Sequence, residues 1–548
     1  MRRRDLLLGS SALGWTACRT TSSTPVPPSA SAAARPPLDR SPSGAAFLHG
    51  VASGDPLADR VILWTRVTPS SLDAQVEVDW VLAEDPALRR VVTRGRALAT
   101  AARDHTVKVD VAGLTPGQAY YYRFETAGVR SVVGRTRTLP SAEVSRLRLA
   151  YASCSNYPYG YFNAYGAIAR RHDLHAVLHL GDYLYEMANG IYGDGTALGR
   201  VPDPPDREIV SLADYRARHA IYKTDPDLQE LHRQHPMIAV WDDHEFTNDA
   251  WVGGAQNHQP DEGSWALRRA MAVQAYREWM PIRELPTTPS GQIYRQFRFG
   301  DLLDLVMLDT RVEGRDQQAD AKVKGFEATI ADPRRTLLGF PQEAWLARQL
   351  ERSKTDGVAW RVLGQQVLLG HMRPRALGDW VNVDMWDGYA PARQRLLDHL
   401  EARAIDDVVV LTGDIHSSWG LEVAADPWGR GYDPVTGRGA LAVELVTPAI
   451  SSPPPVRPQD AQARERSVQD AHPHIKWLEL RRRGYVLLDI DRERVVAQWH
   501  LADSVDEREA EVRFARALAV ARGKAQLVGV EEPTPSLTDA PEPAPKPS

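Results

Sequence analysis

Cysteine is nearly absent. Cys18 and Cys154 are the only two in 548 residues, so a disulfide-stapled scaffold is excluded and at most one bridge can form. An excess of one charge is missing too. Lysine and arginine number 66 against 71 acidic residues, a formal balance of -5, which excludes the basic face that an obligate nucleic-acid scaffold partner needs. The apolar run at the start, Leu6 to Ala17, falls short of the roughly 20 residues that cross a bilayer, and no internal repeat is apparent. What is present is ordinary globular usage, 43% apolar and 25% charged, over a length that calls for several domains rather than one small module.

The first segment reads as an address. Three arginines precede the apolar run, and Arg3-Arg4-Asp5-Leu6-Leu7 resembles a twin-arginine signature, which implies the Tat export machinery as a partner and a periplasmic, secreted or cell-surface destination. Trp15-Thr16-Ala17-Cys18 resembles a lipobox, so the mature protein meets a membrane only if Cys18 is lipidated. Thr20 to Pro37 is rich in Ser, Thr, Ala and Pro and has too few apolar residues to pack, which makes residues 1–40 signal plus disordered linker.

Between 45 and 140 the pattern is short alternating runs, such as Val76-Glu77-Val78-Asp79-Trp80, separated by turn residues. That predicts an all-β immunoglobulin- or fibronectin-like sandwich, with Leu114-Thr115-Pro116-Gly117 and alternating Tyr120, Tyr122 and Phe124 as its corner and following strand. From 146 to 505 the fold class changes to α/β. Apolar strands are expected at Leu147 to Ser153, Ala176 to Leu180, Met237 to Trp241, Leu302 to Leu308, Trp360 to Leu363 and Val408 to Thr412, with a closing hairpin from Gly484 to Leu501. Residues 506–548 are expected to form an amphipathic helix (Asp506 to Ala521) and a disordered Pro-rich tail.

Open α/β sheets bind ligands beyond the carboxyl ends of their strands. The polar blocks fall there: Ser153-Cys154-Ser155, Gly181-Asp182-Tyr183-Leu184-Tyr185, Trp241-Asp242-Asp243-His244-Glu245, Gln365-Gln366 and Gly413-Asp414-Ile415-His416. Each alone is more often a turn residue or a satisfied histidine than a site; five in series, all able to bind metal or phosphate, change that reading. Thiolate and phenolate donors suit a ferric ion, and carboxylate and amide oxygens suit a hard ion such as calcium.

The order of these blocks resembles the calcineurin-like metallophosphoesterases. Cys154, Tyr185, Asp243 and Asp414 stand where those enzymes carry other ligands, and that combination resembles the PhoD-type alkaline phosphatase and phosphodiesterase family. Phe47 to Pro56, Ile62 to Arg66, Leu308-Asp309-Thr310-Arg311 and Thr447 to Ile450 extend the resemblance over about residues 47 to 500. It implies a four-layer core of two mixed sheets flanked by helices behind the N-terminal sandwich. It also implies one iron (Fe3+) and two calcium ions (Ca2+) on Cys154, Asp182, Tyr185, Asp243, Asn248, Asp414 and His416, with Asp182 bridging. His244 is then the group that faces the phosphate, and Arg311 a planar fork for two phosphoryl oxygens; their plain alternatives are a structural imidazole and a surface salt bridge. Asn248 has an ordinary turn as its alternative, and Gln366, in the place of an isolated His, is a poor ligand.

The implied activity is hydrolysis of phosphate monoesters or of phospholipid- or nucleotide-type diesters by a metal-activated hydroxide. Three other readings compete: a phospholipase D-like phosphodiesterase, Cys154 as a nucleophile, and a surface binding protein with an inactive metallophosphoesterase core.

Overall fold

The computed structural model describes residues 46–69, 75–284, 291–372 and 382–547. The signal, the linker and Cys18 lie outside them. No helix among the described residues is long and apolar enough to cross a membrane.

Two large sheets carry the molecule. The first has ten strands in the spatial order Leu527–Val530, Val512–Ala521, Arg494–Ala502, Gly484–Asp491, Arg146–Ala152, Ala176–His179, Pro236–Ala239, Val51–Gly54, Arg60–Arg66 and Thr106–Ala112. The second has seven: Arg295–Phe299, Leu303–Met307, Trp360–Gly364, Val408–Thr412, Ala440–Val446, Ser418–Ala424 and Ile475–Glu479. The central strands of each pair in parallel, so their carboxyl ends, with the polar blocks attached, point the same way.

Alternation along these strands explains how the sheets stack. Leu305, Met307, Val409 and Leu411 share one apolar cluster with Leu149, Val177, Ile238 and Val486 of the first sheet. Their neighbours Val306, Leu308, Val408 and Val410 join Leu346 and Leu350 of helix Phe340–Thr355 and Leu397 and Leu400 of helix Ala390–Ala402. Helices Asn163–Ala169, Pro226–Gln234 and Trp265–Trp279 cover the first sheet.

The sandwich differs from the expected separate module. Its strands Val91–Ala99, Val76–Ala83 and Ala119–Thr126, with Val129–Arg130 and Gly134–Arg137, form a third sheet, but the facing strands are the edge of the ten-stranded sheet, joined through the parallel pairs Ser53↔Pro236 and Gly54↔Met237. The expected corner is present: the Thr115 backbone N–H donates to the Tyr120 hydroxyl at 2.9 Å. Buried Asp55 bonds Arg295 at 2.6 Å, and Trp64 Nε1 donates to the Glu278 carbonyl at 2.8 Å, so polar as well as sheet contacts fasten the sandwich to the core.

The C-terminal expectation is corrected. Where a helix was expected over 506–521, Val512–Ala521 is a strand paired with Arg494–Ala502. Phe514, Leu518 and Val520 fall on alternate positions, with Arg513 on the opposite set, and a neighbouring strand edge captures that period of two. The Pro-rich tail, expected to be disordered, lies along the protein instead. Arg148 Nη2 bonds Thr534 Oγ1 (2.7 Å), the Tyr121 hydroxyl donates to the Glu542 carbonyl (2.6 Å), Arg233 Nη1 donates to the Pro545 carbonyl (2.7 Å), and Gln234 exchanges bonds with Ala544. Proline removes N–H donors, and buried side chains supply the missing partners for its carbonyls.

Candidate metal centre

The strand ends converge on one buried cluster. Cys154, Asp182, Asp414 and His416 all have left-handed backbone (φ 62, 53, 61 and 53°), a conformation that non-glycine residues adopt where the surroundings hold them. Two glycines let the turns close up. A Cβ on Gly181, itself at φ 102°, would meet Asp242 Cβ at 2.4 Å, and one on Gly413 would meet Ser153 Oγ at 2.7 Å. The Asp182 turn therefore lies directly on the Asp242 turn, and the Asp414 turn on the Cys154 turn.

Three groups of possible ligand atoms result, each within 4.8 Å: Cys154, Asp182 and His416; Asp182, Asp243 and His244; and Asp242, Asp243 and Asp414. Asp182 belongs to the first two and Asp243 to the last two. Tyr185 joins the first group, its hydroxyl donating to Asp182 Oδ2 at 2.9 Å and lying 3.0 Å from His416 Nε2. Among the described residues, the buried oxygens Asp182 Oδ1 and Asp242 Oδ2 have no hydrogen-bond partner. A buried carboxylate oxygen without a donor is costly unless a cation satisfies it, so the donor set fits metal ions.

Electrostatics agree with that fit. Burial pushes the carboxyls of Asp182 and Asp414 well above the usual range; neighbouring carboxylates, Asp242 and Asp243 among them, add to the rise, while His244 and Arg311 respectively oppose it. Burial and then Asp182 drive the Cys154 thiol well upward. That is the opposite of an activated cysteine nucleophile, which sits in a positive, accessible setting.

His244 is held by Glu186, whose Oε2 lies 2.6 Å from Nδ1. Burial disfavours the imidazolium, yet Glu186, Asp243 and Asp182 outweigh it and raise His244 well above 6.5. The ring also packs on Tyr185 at 4.2 Å between centroids. Glu186 serves the same turn twice more, accepting from the Asn248 N–H (2.8 Å) and Thr247 Oγ1 (3.1 Å). Asn248 gives its side-chain N–H to Gln256 Oε1 at 2.5 Å.

Arg311 is not the surface salt bridge of its plain alternative: it is fully buried among the strand-end acids, with Nε on Asp242, Nη1 on Asp384 (2.7 Å) and Nη2 on Asp414 (2.7 Å). A buried guanidinium needs carboxylate partners, and these acids supply them. Gln366 is a strut. Its Oε1 accepts from the Thr310 N–H (3.0 Å) and Oγ1 (2.6 Å), and its Nε2 donates to the Leu308 carbonyl (3.0 Å). Tyr157 and Phe162 pack beneath with Tyr222 rather than among the ligand atoms.

Several site residues carry no assigned role in the sequence reading. Glu245 accepts from the backbone N–H groups of Asp182, Tyr183 and Asp242 (3.0, 2.6 and 2.7 Å) and so locks two ligand turns together. Asp242, Glu245 and Glu186 sit inside or beside quoted blocks, where the run of acids at a strand end was the available signal. Asp384, Tyr192 and Ser452 come from irregular loops with no spacing to betray them; Ser452 Oγ donates to the Tyr185 hydroxyl at 2.7 Å.

A PhoD-like phosphatase family model matches residues 149–499, and the model of that family's N-terminal domain matches 30–140. The chain belongs to the PhoD-like phosphatase family. Alkaline phosphatase D of Bacillus subtilis (strain 168) is 36% identical over 481 residues, covering 85% of this chain and 79% of that protein. A solved structure of PhoD superposes with a TM-score of 0.79 at 34% identity, covering 89% of this chain and 93% of the other. The chain is thus a phosphatase, a hydrolase acting on phosphate esters.

Proposed function

We propose that this is an exported, metal-dependent phosphoesterase with a calcineurin-like four-layer core, acting on phosphate monoesters, diesters or both. The carrying observation is the sharing of Asp182 and Asp243 among three ligand groups at strand ends. Cys154, Asp182, Tyr185 and His416 would hold iron, and Asp182, Asp243, Asn248 and Asp414 calcium. Bound ions of this kind neutralise phosphoryl oxygens and acidify water. The chain's own groups do the rest. Glu186 fixes the His244 ring through Nδ1, leaving Nε2 as the donor that protonates a leaving oxygen. The Glu245 clamp keeps the Asp182 and Asp242 turns in place, and Tyr185 and Ser452 orient the thiolate side. The twin-arginine-like start supports export in the folded, metal-loaded state.

The test is turnover of nitrophenyl phosphate and bis(nitrophenyl) phosphate by the purified full chain. Asp182→Asn should lower both rates at least about a hundredfold, beyond the effect usual for outer partners of a metal ligand. A rate near wild type would refute the shared-ligand scheme.

A further inference from the structure

The acidic side of the centre contains a cation of its own. Arg311 is fully buried between two sets of carboxylates. On one side its Nε and Nη2 reach Asp242 and Asp414 Oδ1 (2.7 Å), with Asp243 Oδ1 3.6 Å away. Those three acids make up one of the ligand groups. On the other side Nη1 donates to both oxygens of Asp384, at 3.0 and 2.7 Å. Asp384 is itself fixed by Arg315 Nη2 (2.5 Å) and Gln318 Nε2 (2.8 Å). Asp242 still has Oδ2 buried without a donor, so the guanidinium satisfies this group only in part.

We propose that Arg311 is an internal competitor for the Asp242–Asp243–Asp414 site: it pairs with these carboxylates in one position and yields them to a divalent cation by withdrawing onto Asp384. A guanidinium and a divalent ion compete for these carboxylates, because two cations brought this close to one another repel in a buried setting. Asp384, gripped by Arg315 and Gln318, is the fixed anchor that keeps the withdrawn Arg311 paired rather than stranded in a buried site. Competition of this kind lowers the apparent affinity for the cation by the cost of moving the arginine. The coupling is reciprocal, so calcium in turn loosens the Arg311 contacts. The inference rests on the metal-site reading above.

The experiment is calorimetric titration of Ca2+ into the full-length, chelator-treated protein, with a thermal melt of each variant as a folding control. Arg311→Gln should tighten Ca2+ binding by about tenfold, a modest value for coupled sites. Arg311→Lys, which keeps the charge but loses the fork, should also tighten it. Asp384→Asn, which removes the anchor, should weaken it, and that penalty should shrink in the Arg311→Gln/Asp384→Asn double variant. Wild-type affinity in both Arg311 variants would overturn the competition while leaving the metal site standing. Arg311→Lys matching wild type while Arg311→Gln tightens would also overturn it, in favour of a distant charge effect. Absence of Ca2+ binding in all proteins would overturn both the competition and the calcium reading. If the Arg311 variants do not fold, a Ca2+ affinity unchanged in Asp384→Asn overturns the proposal.

Discussion

Glu245 is 2% exposed and touches no substrate in the scheme above, yet its two oxygens terminate three buried backbone N–H groups. In Glu245→Gln the amide oxygen can take the place of Oε2 and keep the Asp182 and Asp242 bonds, but the NH2 group then faces the Tyr183 N–H, donor against donor. One buried donor left unsatisfied costs about 1–3 kcal/mol. Glu245→Ala strands all three, and the same reasoning gives about 3–6 kcal/mol after partial relaxation. Urea unfolding followed by circular dichroism measures both, and elemental analysis of the same samples reports whether the turns still hold their ions. The Gln variant should fold, lose stability in the stated range and bind metal more weakly; the Ala variant should lose most of its metal. Stability within about 0.5 kcal/mol of wild type for the Ala variant, the scatter of ordinary surface substitutions, would refute the clamp.

The Glu186–His244 pair gives a pH signature. Against burial, His244 and nearby donors hold Glu186 down at about 2, so its contribution is present above its unfolded value near 4.5 and fades as pH falls toward 2. His244 is raised well above 6.5, so its share is complete below 6.5 and fades as pH rises through the folded value. The destabilisation by Glu186→Gln should therefore peak between about pH 5 and 6.5 and decline on both sides; a difference independent of pH would contradict the assignment. Cys154→Ser should lose iron and the visible band that a thiolate–iron bond gives while retaining calcium, and an unchanged spectrum would remove Cys154 from the ligand list. Deleting the tail after Glu532 should lower the melting midpoint by about 3 °C or more while leaving metal content as it was, since Arg148, Arg233 and Gln234 lose the bonds they make to the tail but no ligand turn is touched; an unchanged midpoint would show that the ordered tail contributes nothing net.

Much of the core was legible because apolar strands that end in polar blocks announce both a parallel sheet and its active edge. Val408–Thr412 matches its expected bounds, and the other central strands start or stop within one or two residues of theirs. The N-terminal strands were legible as strands but not as members of a shared sheet, because the pairing of Ser53 with Pro236 depends on partners some 180 residues apart that no local pattern encodes. The stretch 506–521 misled because a run that mixes charged and apolar residues suits a helix face and a sheet edge alike, and the decision belonged to the neighbouring strand Arg494–Ala502. The tail misled for a related reason: its composition resembles disorder, while its order comes from Arg148, Arg233 and Gln234 on distant elements. In the site, the ligand types were readable from residue chemistry. The orientation of Arg311 was not, since Asp384 meets it from a loop 73 residues away.

The central claim is a metal centre built on Asp182 and Asp243, and the most direct test is elemental analysis of the purified mature protein before and after chelation, with phosphatase turnover measured on the same samples. Iron together with calcium should be bound to the chain, with loss of turnover as they are removed and recovery when both are returned. Full turnover in protein stripped of metal would contradict it.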